Sequence, residues 1–273
     1  MRPLSKVYTA LIFVILYAPI AVMVLFSFNS INSTGVFAGF STYWYRELFR
    51  DGATLAALKN TLVLAISSSL IATIIGTVAA VGIFKLKSRA AKSAIMTVTN
   101  IPMMNPDIVT GISMMLLFVF VCVRLAGAAS LSFATVLIAH ITFNLPYVIL
   151  SVMPKLRQMD KHLTEAALDL GCTPMQAFFK VELPSIIPGC SPFTALRKVI
   201  LPEIMPGVVS GFLMSFTFSL DDFVISYFTT GSGFETLPIR IYSMTKKRVT
   251  PDMYALSTLI FIAVLALLVL SNL

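Results

Sequence analysis

The sequence predicts an all-α integral membrane protein with six transmembrane helices, and two observations carry this prediction. Of the 273 residues, 58% are hydrophobic and only 12% are charged, which lies well outside the balance of soluble proteins. The apolar residues also fall into blocks of about 20 residues, long enough to cross roughly 30 Å of hydrocarbon as helices. We therefore expect residues 1–273 to form a single transmembrane domain.

The six apolar blocks define the predicted spans in chain order. They are approximately 8–27, 60–84, 94–123, 131–153, 208–228 and 254–271. No signal-peptide cleavage site follows the first block, so we expect that block to remain as the first span. Of the 20 Lys and Arg residues, 12 lie in the amino terminus and in the loops 85–92 and 154–207. Because cytoplasmic loops are enriched in basic residues, this excess favours cytoplasmic termini, with an external amino terminus as the alternative.

The charged, cysteine and histidine residues exclude several functions. The net charge of +8 comes without a basic run that is interleaved with aromatic residues, so nothing indicates nucleic-acid binding. Cys122, Cys172 and Cys190 lack the spacing of metal ligands, and His140 and His162 lie far apart in the sequence. We therefore predict no metal site and no disulfide, and we interpret the two histidines as structural residues.

The third block contains a predicted helix break at "NIPMMNPDIVTGI". Pro102 and Pro106 lie four residues apart, and each removes a backbone donor from the helical ladder. Asn105, Pro106 and Asp107 then predict a cap, a first-turn proline and an early acid of a new helical segment. A broken helix at membrane depth is typical of a pathway wall, and a simple proline kink with a capping Asp is the alternative.

The fifth block places two neighbouring acids, Asp221 and Asp222, in "SFTFSLDDFVISYF". An acid at the centre of a span costs roughly 2.5 to 3.5 kcal/mol, so we expect the pair to face the bundle interior or an aqueous cavity. The alternative is a solvated pair near the outer end of the span. The predicted pathway residues are Asp107, Ser219, Asp221 and Asp222, with Trp44, Tyr45, Tyr227 and Tyr254 as aromatic faces for a cation or as an interfacial belt.

A short module occurs twice in tandem before the fifth span. Gly171 to Pro188 aligns with Gly189 to Pro206, with ten identical residues. In each copy we expect a Gly to end the preceding helix, a Thr or Ser to cap the next helix, and a Pro to begin it. This next helix is short and basic, and a second Pro ends it. The first copy follows a helix that opens with Glu165, Ala166 and Ala167. The module is either a protruding element that docks on a soluble partner or an ordinary cytoplasmic loop.

Specific motifs resemble a known family. Glu165, Ala166 and Ala167, followed by Gly171 and by Leu183 and Pro184, resemble the EAA signature of permease subunits of bacterial ABC importers, which docks on the ATPase. The segments "FNSINSTGVFAGFSTYWYRELF", "AHITFNLPYVILSV", "SLDDFVISYFTTGSGFETLPIRIYSM" and "VTPDMYALSTLIF" are similar to the PotC-type permeases of spermidine/putrescine importers. The similarity extends over nearly the whole chain. The second copy of the module departs from it, because a typical member enters the fifth span after the first.

The resemblance implies a type I ABC importer permease fold with cytoplasmic coupling helices, in a bacterial inner membrane. It implies a second permease subunit, a cytoplasmic ATPase dimer and an external polyamine-binding protein as partners. It assigns ATPase coupling to Glu165, Ala166, Ala167, Gly171, Leu183 and Pro184. The chain contains no G-x-x-x-x-G-K-[ST] motif, so we expect ATP and Mg²⁺ on the partner ATPase, no cofactor on this chain, and no enzymatic activity of its own.

Two alternative functions stay open. The first is an ABC importer permease for another small cationic or metal-chelate solute. The second is a membrane-embedded enzyme or proton channel that uses the acid pair. That second function would need catalytic His or Cys groupings, or ionisable residues in line across several spans, and the sequence offers neither.

Overall fold

Apolar composition and helix-compatible spacing produce helices throughout the part of the chain that the structure describes. The computed structural model describes residues 3–33, 35–126, 131–158, 201–231, 233–247 and 250–271. Within these ranges the chain forms ten helices, and its only bridge between extended residues joins Asn29 and Phe40. The helices are α1 (Pro3–Ser27), α2 (Tyr43–Leu48), α3 (Gly52–Lys85), α4 (Arg89–Met104), α5 (Asp107–Ala126), α6 (Phe133–Gln158), α7 (Leu201–Asp221), α8 (Val224–Thr229), α9 (Leu237–Lys247) and α10 (Pro251–Ser271).

The long helices confirm the all-α membrane class. Among the described residues, five helices are long and apolar enough to cross a membrane: α1, α3, α5, α6 and α7. In addition, α10 contains a shorter apolar stretch, Pro251–Ala266. Each predicted block therefore corresponds to helical structure, while the sixth complete span stays a prediction.

The predicted break in the third block is confirmed. Helix α4 ends at Met104, and α5 begins at Asp107. The backbone oxygen of Pro106 accepts hydrogen bonds from the backbone nitrogens of Val109, at 2.9 Å, and Thr110, at 3.2 Å. Asn105 adopts an extended conformation and closes α4, so it ends one helix rather than capping the next. Proline lacks the N–H that would continue the α4 ladder, but its carbonyl can still start α5.

The predicted fifth span, 208–228, is wrong as one continuous helix. Helix α7 starts earlier, at Leu201, and ends at Asp221, while α8 is a separate short helix. The Asp222 side chain accepts hydrogen bonds from the backbone N–H groups of Ile225 and Ser226 in the first turn of α8, which favours a new helix start over continuation. Helix α6 likewise runs to Gln158, so the predicted loop 154–207 begins and ends inside helices.

The predicted docking residues lie outside the described part of the chain. They are Glu165, Ala166, Ala167, Gly171, Leu183 and Pro184. The structure therefore provides no contacts by which to judge their role.

The chain divides into two compact units, and the first comprises Met1–Leu62 and Ser232–Leu273. Its buried core contains Leu48, Ala57, Leu237 and Leu256. The turn before α9 is held by α3, because the hydroxyl of Thr61 accepts the backbone N–H of Leu237 at 2.7 Å.

A buried side chain also orders the loop after α1 in this unit. Asn29 is fully buried, and its amide nitrogen donates to the backbone oxygens of Ser33 and Val36, each at 2.8 Å. Its amide oxygen accepts the backbone N–H of Ala38 at 3.0 Å. One amide thus replaces the hydrogen bonds that a longer strand pair would supply.

The second unit, Val63–Gly231, is organised around α6. Helix α6 packs against α4, α5, α7 and α8. Its buried residues Val148, Ile149, Val152 and Met153 form a cluster with α3 and α7 residues. Burial of each such side chain stabilises the fold by about 1.5–3 kcal/mol relative to water, although exposure to lipid reduces this hydrophobic contribution.

Glycines allow α7 to lie unusually close to α6. A methyl carbon added at Gly207 would lie 2.8 Å from the backbone oxygen of Ser151 and 3.2 Å from the Cα of Val152. One turn later, a carbon added at Gly211 would lie 3.2 Å from the Cα of Val148. Backbone atoms cannot move aside as a side chain can, so α6 and α7 require small residues here.

We expect Gly207→Ala to lower the thermal stability of the detergent-solubilised protein by the equivalent of about 1–3 kcal/mol, because its new methyl group overlaps the α6 backbone. Gly82→Ala is the matched control, since a carbon added at Gly82 meets open space in α3. That control should be neutral or slightly stabilising, because alanine favours helices over glycine by roughly 0.5–1 kcal/mol. Equal shifts in the two melting temperatures would contradict the close α6–α7 approach.

Candidate functional site

The corner between α7 and α8 is built around the Asp222 carboxylate. Its Oδ1 accepts the backbone N–H of Ile225 at 3.2 Å, and its Oδ2 accepts the backbone N–H of Ser226 at 2.7 Å. Its side chain is only 10% exposed. The first turn of a helix has no internal partners for its N–H groups. Asp222 therefore satisfies donors that the break between the two helices would otherwise leave unpaired.

The corner is joined to α6 by His140, which is 1% exposed. The ring Nδ1 lies 3.0 Å from the Ser219 hydroxyl on α7. The ring Nε2 lies 3.0 Å from the Ser226 hydroxyl on α8 and 3.4 Å from Oδ2 of Asp222. A single imidazole thus contacts both helices that meet at the corner.

The Ser219 hydroxyl is the centre of this buried polar cluster. Asn144 donates its amide N–H to the Ser219 oxygen at 2.8 Å, and the Ser68 hydroxyl lies 2.9 Å from the same oxygen. With His140, Ser219 therefore has three side-chain partners, which is the full capacity of one hydroxyl. The Ser219 oxygen is thus engaged with side chains from α3 and α6, and its predicted contact with a substrate stays a prediction.

Two other acids are exposed and differ from Asp222. Asp221, the last residue of α7, and Asp107, the first residue of α5, both have exposed side chains. Asp107 begins α5, which packs against α6, the helix that carries Tyr147. The ring centroids of Tyr147 and Phe218 are 4.5 Å apart. Because Phe218 and Asp221 are three residues apart on α7, they share a helix face.

Aromatic side chains of α6 and α7 form one surface in the second unit. It contains Phe143, Tyr147 and Phe218, and Phe143 lies 5.5 Å from Tyr147 and 6.4 Å from Phe218 between ring centroids. All three rings are half-buried. Aromatic faces and carboxylates both attract cations, so this surface can hold an extended cation in a way that a buried carboxylate cannot.

The predicted aromatic residues are distributed between the two units. Trp44, Tyr45 and Tyr254 belong to the first unit, and Tyr227 belongs to the second. The Trp44 indole donates to the backbone oxygen of Asn29 at 2.8 Å, and the Tyr45 hydroxyl lies 2.7 Å from that of Ser27. Their polar atoms therefore stabilise the segment after α1. Tyr227 on α8 is exposed and packs on Phe223 with a centroid distance of 5.3 Å.

Sequence reasoning missed Tyr147, Phe218 and Asn144, and it interpreted His140 only as a structural residue. The spacing of Phe143 and Tyr147 places both on one face of α6, which was an available signal. The pairing of that face with Phe218 depends on helix packing, which the sequence pattern does not specify. His140 and Asn144 also lie four residues apart, but their common partner Ser219 is more than 70 residues away.

We expect Asp222→Ala to destabilise the purified protein by about 1–3 kcal/mol, because it removes the cap of α8 and a partner of His140. Asp221→Ala, at the exposed neighbouring position, should change stability by less than about 0.5 kcal/mol. Asp222→Asn should fall between them, since the amide oxygen can still accept an N–H. Thermal unfolding monitored by size-exclusion chromatography measures all three. Equal losses for the Asp221 and Asp222 variants would contradict their different burial.

Comparisons with known proteins agree with the helical arrangement. The family model described as "Binding-protein-dependent transport system inner membrane component" matches residues 72–189 and 187–273. In structure, the chain resembles a bacterial ABC transporter involved in the import of the acidic polysaccharide alginate, with a TM-score of 0.69 at 15% identity, over 98% of this chain and 92% of the other. An amino acid ABC transporter gives a TM-score of 0.57 at 18% identity, over 84% of this chain and 95% of the other. The predicted permease fold of an ABC importer is therefore confirmed.

Curated relatives match almost the entire chain. The spermidine/putrescine transport system permease protein PotC of Haemophilus influenzae is 38% identical over 99% of this chain and 95% of its own length. PotC of Escherichia coli K12 is 36% identical over 100% of this chain and 94% of its own length. The putrescine transport system permease protein PotI of the same strain is 37% identical over 92% of this chain and 83% of its own length. The chain therefore belongs to the binding-protein-dependent transport system inner membrane components, and within them to the PotC- and PotI-type permeases.

Proposed function

We propose that this chain is the transmembrane permease subunit of an ATP-driven importer for polyamines, spermidine or putrescine, and that it forms half of the translocation path. The observation that carries this proposal is the similarity, at 36–38% identity over 92–100% of the chain, to permeases named for putrescine and spermidine/putrescine transport. The exposed acids and the aromatic surface of the second unit support it independently. Their chemistry matches a flexible chain that carries several ammonium groups.

The two carboxylates of the fifth block have different roles in this proposal. Asp221 is exposed and lies next to the aromatic surface along α7, so it contacts an ammonium group of the substrate. Asp107 contacts a second ammonium group from the start of α5, while Tyr147 and Phe218 line the apolar methylene segment. Asp222 is almost fully buried and holds the corner in place. The sequence-based expectation is that one of these neighbouring acids can face the path while the other pairs with a donor, and this proposal assigns the first role to Asp221 and the second to Asp222.

Conformational coupling to ATP hydrolysis is assigned to the segment between α6 and α7. In this proposal Glu165, Ala166, Ala167 and Gly171, together with Leu183 and Pro184, couple the chain to a cytoplasmic ATPase dimer. A second permease subunit completes the path, and an external binding protein delivers the polyamine. ATP and Mg²⁺ bind to the ATPase. In this arrangement both termini of the multi-pass chain lie in the cytoplasm.

Another small cationic or metal-chelate solute is the alternative cargo. An enzyme or proton channel is the alternative of a different class. Family membership as a transport component disfavours that second alternative. Recovery of an ATPase with the affinity-purified chain distinguishes the permease from a membrane enzyme that acts alone.

The proposal predicts uptake of labelled putrescine or spermidine by membranes that contain the complete complex. Asp221→Asn and Asp107→Asn should each lower uptake at subsaturating substrate by about 10-fold, the effect of losing one charge-assisted contact of about 1.4 kcal/mol. ATP hydrolysis by the assembled complex should change by less than about 2-fold, because neither acid supports the fold.

Glu47→Gln is the matched control for these variants, since Glu47 is an exposed carboxylate on α2. Its uptake should equal that of the unmodified complex. Undiminished uptake by the Asp221 and Asp107 variants would remove these residues from the path. Lack of competition by excess unlabelled polyamine, together with competition by another cation or a metal chelate, would instead support the alternative cargo.

The duplicated module makes a separate prediction. We expect removal of Cys172 to Gly189 to leave one copy and to increase uptake and ATPase recovery, because the extra copy adds 18 residues between the EAA motif and α7. The comparison is uptake by the shortened and intact chains in the same membranes, normalised to protein amount. Loss of uptake on shortening would assign a necessary role to the second copy.

A further inference from the structure

The backbone between α7 and α8 is held by side chains rather than by a helical ladder. Asp222 and Phe223 lie outside both helices. The orientation of Asp221, the last residue of α7, therefore depends on the contacts that fix Asp222 and Phe223. The contacts of Asp222 and of its neighbour His140 provide that constraint.

Hydrogen-bond chemistry determines how His140 acts on Asp222. An ionised carboxylate only accepts hydrogen bonds, and Asp222 already accepts the backbone N–H groups of Ile225 and Ser226. A bare imidazole nitrogen facing its Oδ2 at 3.4 Å would repel it, so Nε2 carries a hydrogen and shares it between Asp222 and the Ser226 hydroxyl. This holds for both the neutral Nε2–H tautomer and the imidazolium ion.

The opposite edge of the ring is anchored just as firmly. Nδ1 contacts Ser219, and Ser219 is itself fixed by Asn144 and Ser68. Ser219 lies two residues before Asp221 on α7, and Asp222 follows Asp221 directly. His140 therefore holds the chain on both sides of Asp221 without contacting that side chain in the described structure.

We propose that His140 is a positioning residue: it keeps Asp222 in the protein interior and thereby keeps Asp221 presented to the cationic substrate, without touching the substrate itself. The substrate part of this inference rests on the proposed function. The geometric part, that His140 sets the exposure of position 221 through Asp222, does not.

A double-mutant cycle separates this role from a general contribution to folding. His140→Leu removes both ring hydrogen bonds and leaves the buried Asp222 charge without its α6 partner. Asp222→Asn keeps a capping oxygen but removes the charge. If His140 acts through Asp222, His140→Leu has a large effect in the native background and a small one in the Asp222→Asn background. His140→Gln restores a side-chain donor, so in both measurements below its values should lie close to those of the unmodified protein.

The first measurement is the labelling rate of Asp221→Cys by a cationic thiol reagent in native membranes, with Cys122, Cys172 and Cys190 replaced by serine. We expect His140→Leu to change this rate by about 10-fold with Asp222 present and by less than about 2-fold with Asp222→Asn. Lys87→Cys, in the exposed turn between α3 and α4, should label at an unchanged rate. This arm needs no transport substrate and is therefore decisive even if polyamine uptake fails.

The second measurement is the number of putrescine molecules imported per ATP hydrolysed by the reconstituted complex with Asp221 in place. We expect His140→Leu to lower this ratio by about 10-fold in the native background, whereas a purely structural loss would lower uptake and hydrolysis together. Equal effects of His140→Leu in both Asp222 backgrounds would overturn the inference. So would loss of the protein from the membrane in both backgrounds, because His140 would then act on folding independently of Asp222.

Discussion

Hydrogen bonding of Asp222 to the first turn of α8 is the interaction on which the corner between α7 and α8 depends. Ile225 and Ser226 are buried in the protein, so their backbone groups must find partners in the protein rather than in water. The Asp222 carboxylate supplies two of them, and its own charge is then balanced by the donors that surround it. An acid that is costly in isolation thus becomes the reason that the chain can turn there.

The polar corner and the glycine contacts constrain the same pair of helices at different levels. Near the start of α7, Gly207 and Gly211 bring its backbone against α6. Near its end, Ser219 bonds to His140 and Asn144 of α6. Close packing determines the distance between the helices, and directed hydrogen bonds determine their rotation and register. The candidate site depends on both, because the aromatic surface consists of side chains from α6 and α7.

The sequence predicted the membrane class and the helix break at Pro106, because apolar block length and proline chemistry are local properties. It also placed both acids of the fifth block at a special position. The helical angle between neighbours predicted that one acid can face a path while the other pairs with a donor, but it could not say which, since Asp221 and Asp222 differ only in what the folded chain brings to them. The decisive partner, His140, lies more than 80 residues away from Asp222. For Trp44 and Tyr45 the sequence did not reveal the partners of the indole N–H and the phenol hydroxyl, which are the backbone oxygen of Asn29 and the hydroxyl of Ser27.

Helix α3 differs from α1, α4, α6 and α7 because it contains no proline along its 34 residues. At 1.5 Å per residue it is about 50 Å long, well beyond the roughly 30 Å of hydrocarbon. Proline is a common cause of sharp kinks, and α3 lacks that cause. A helix longer than the hydrocarbon must tilt or extend beyond it, so we expect part of α3 to lie in the polar interface of the membrane.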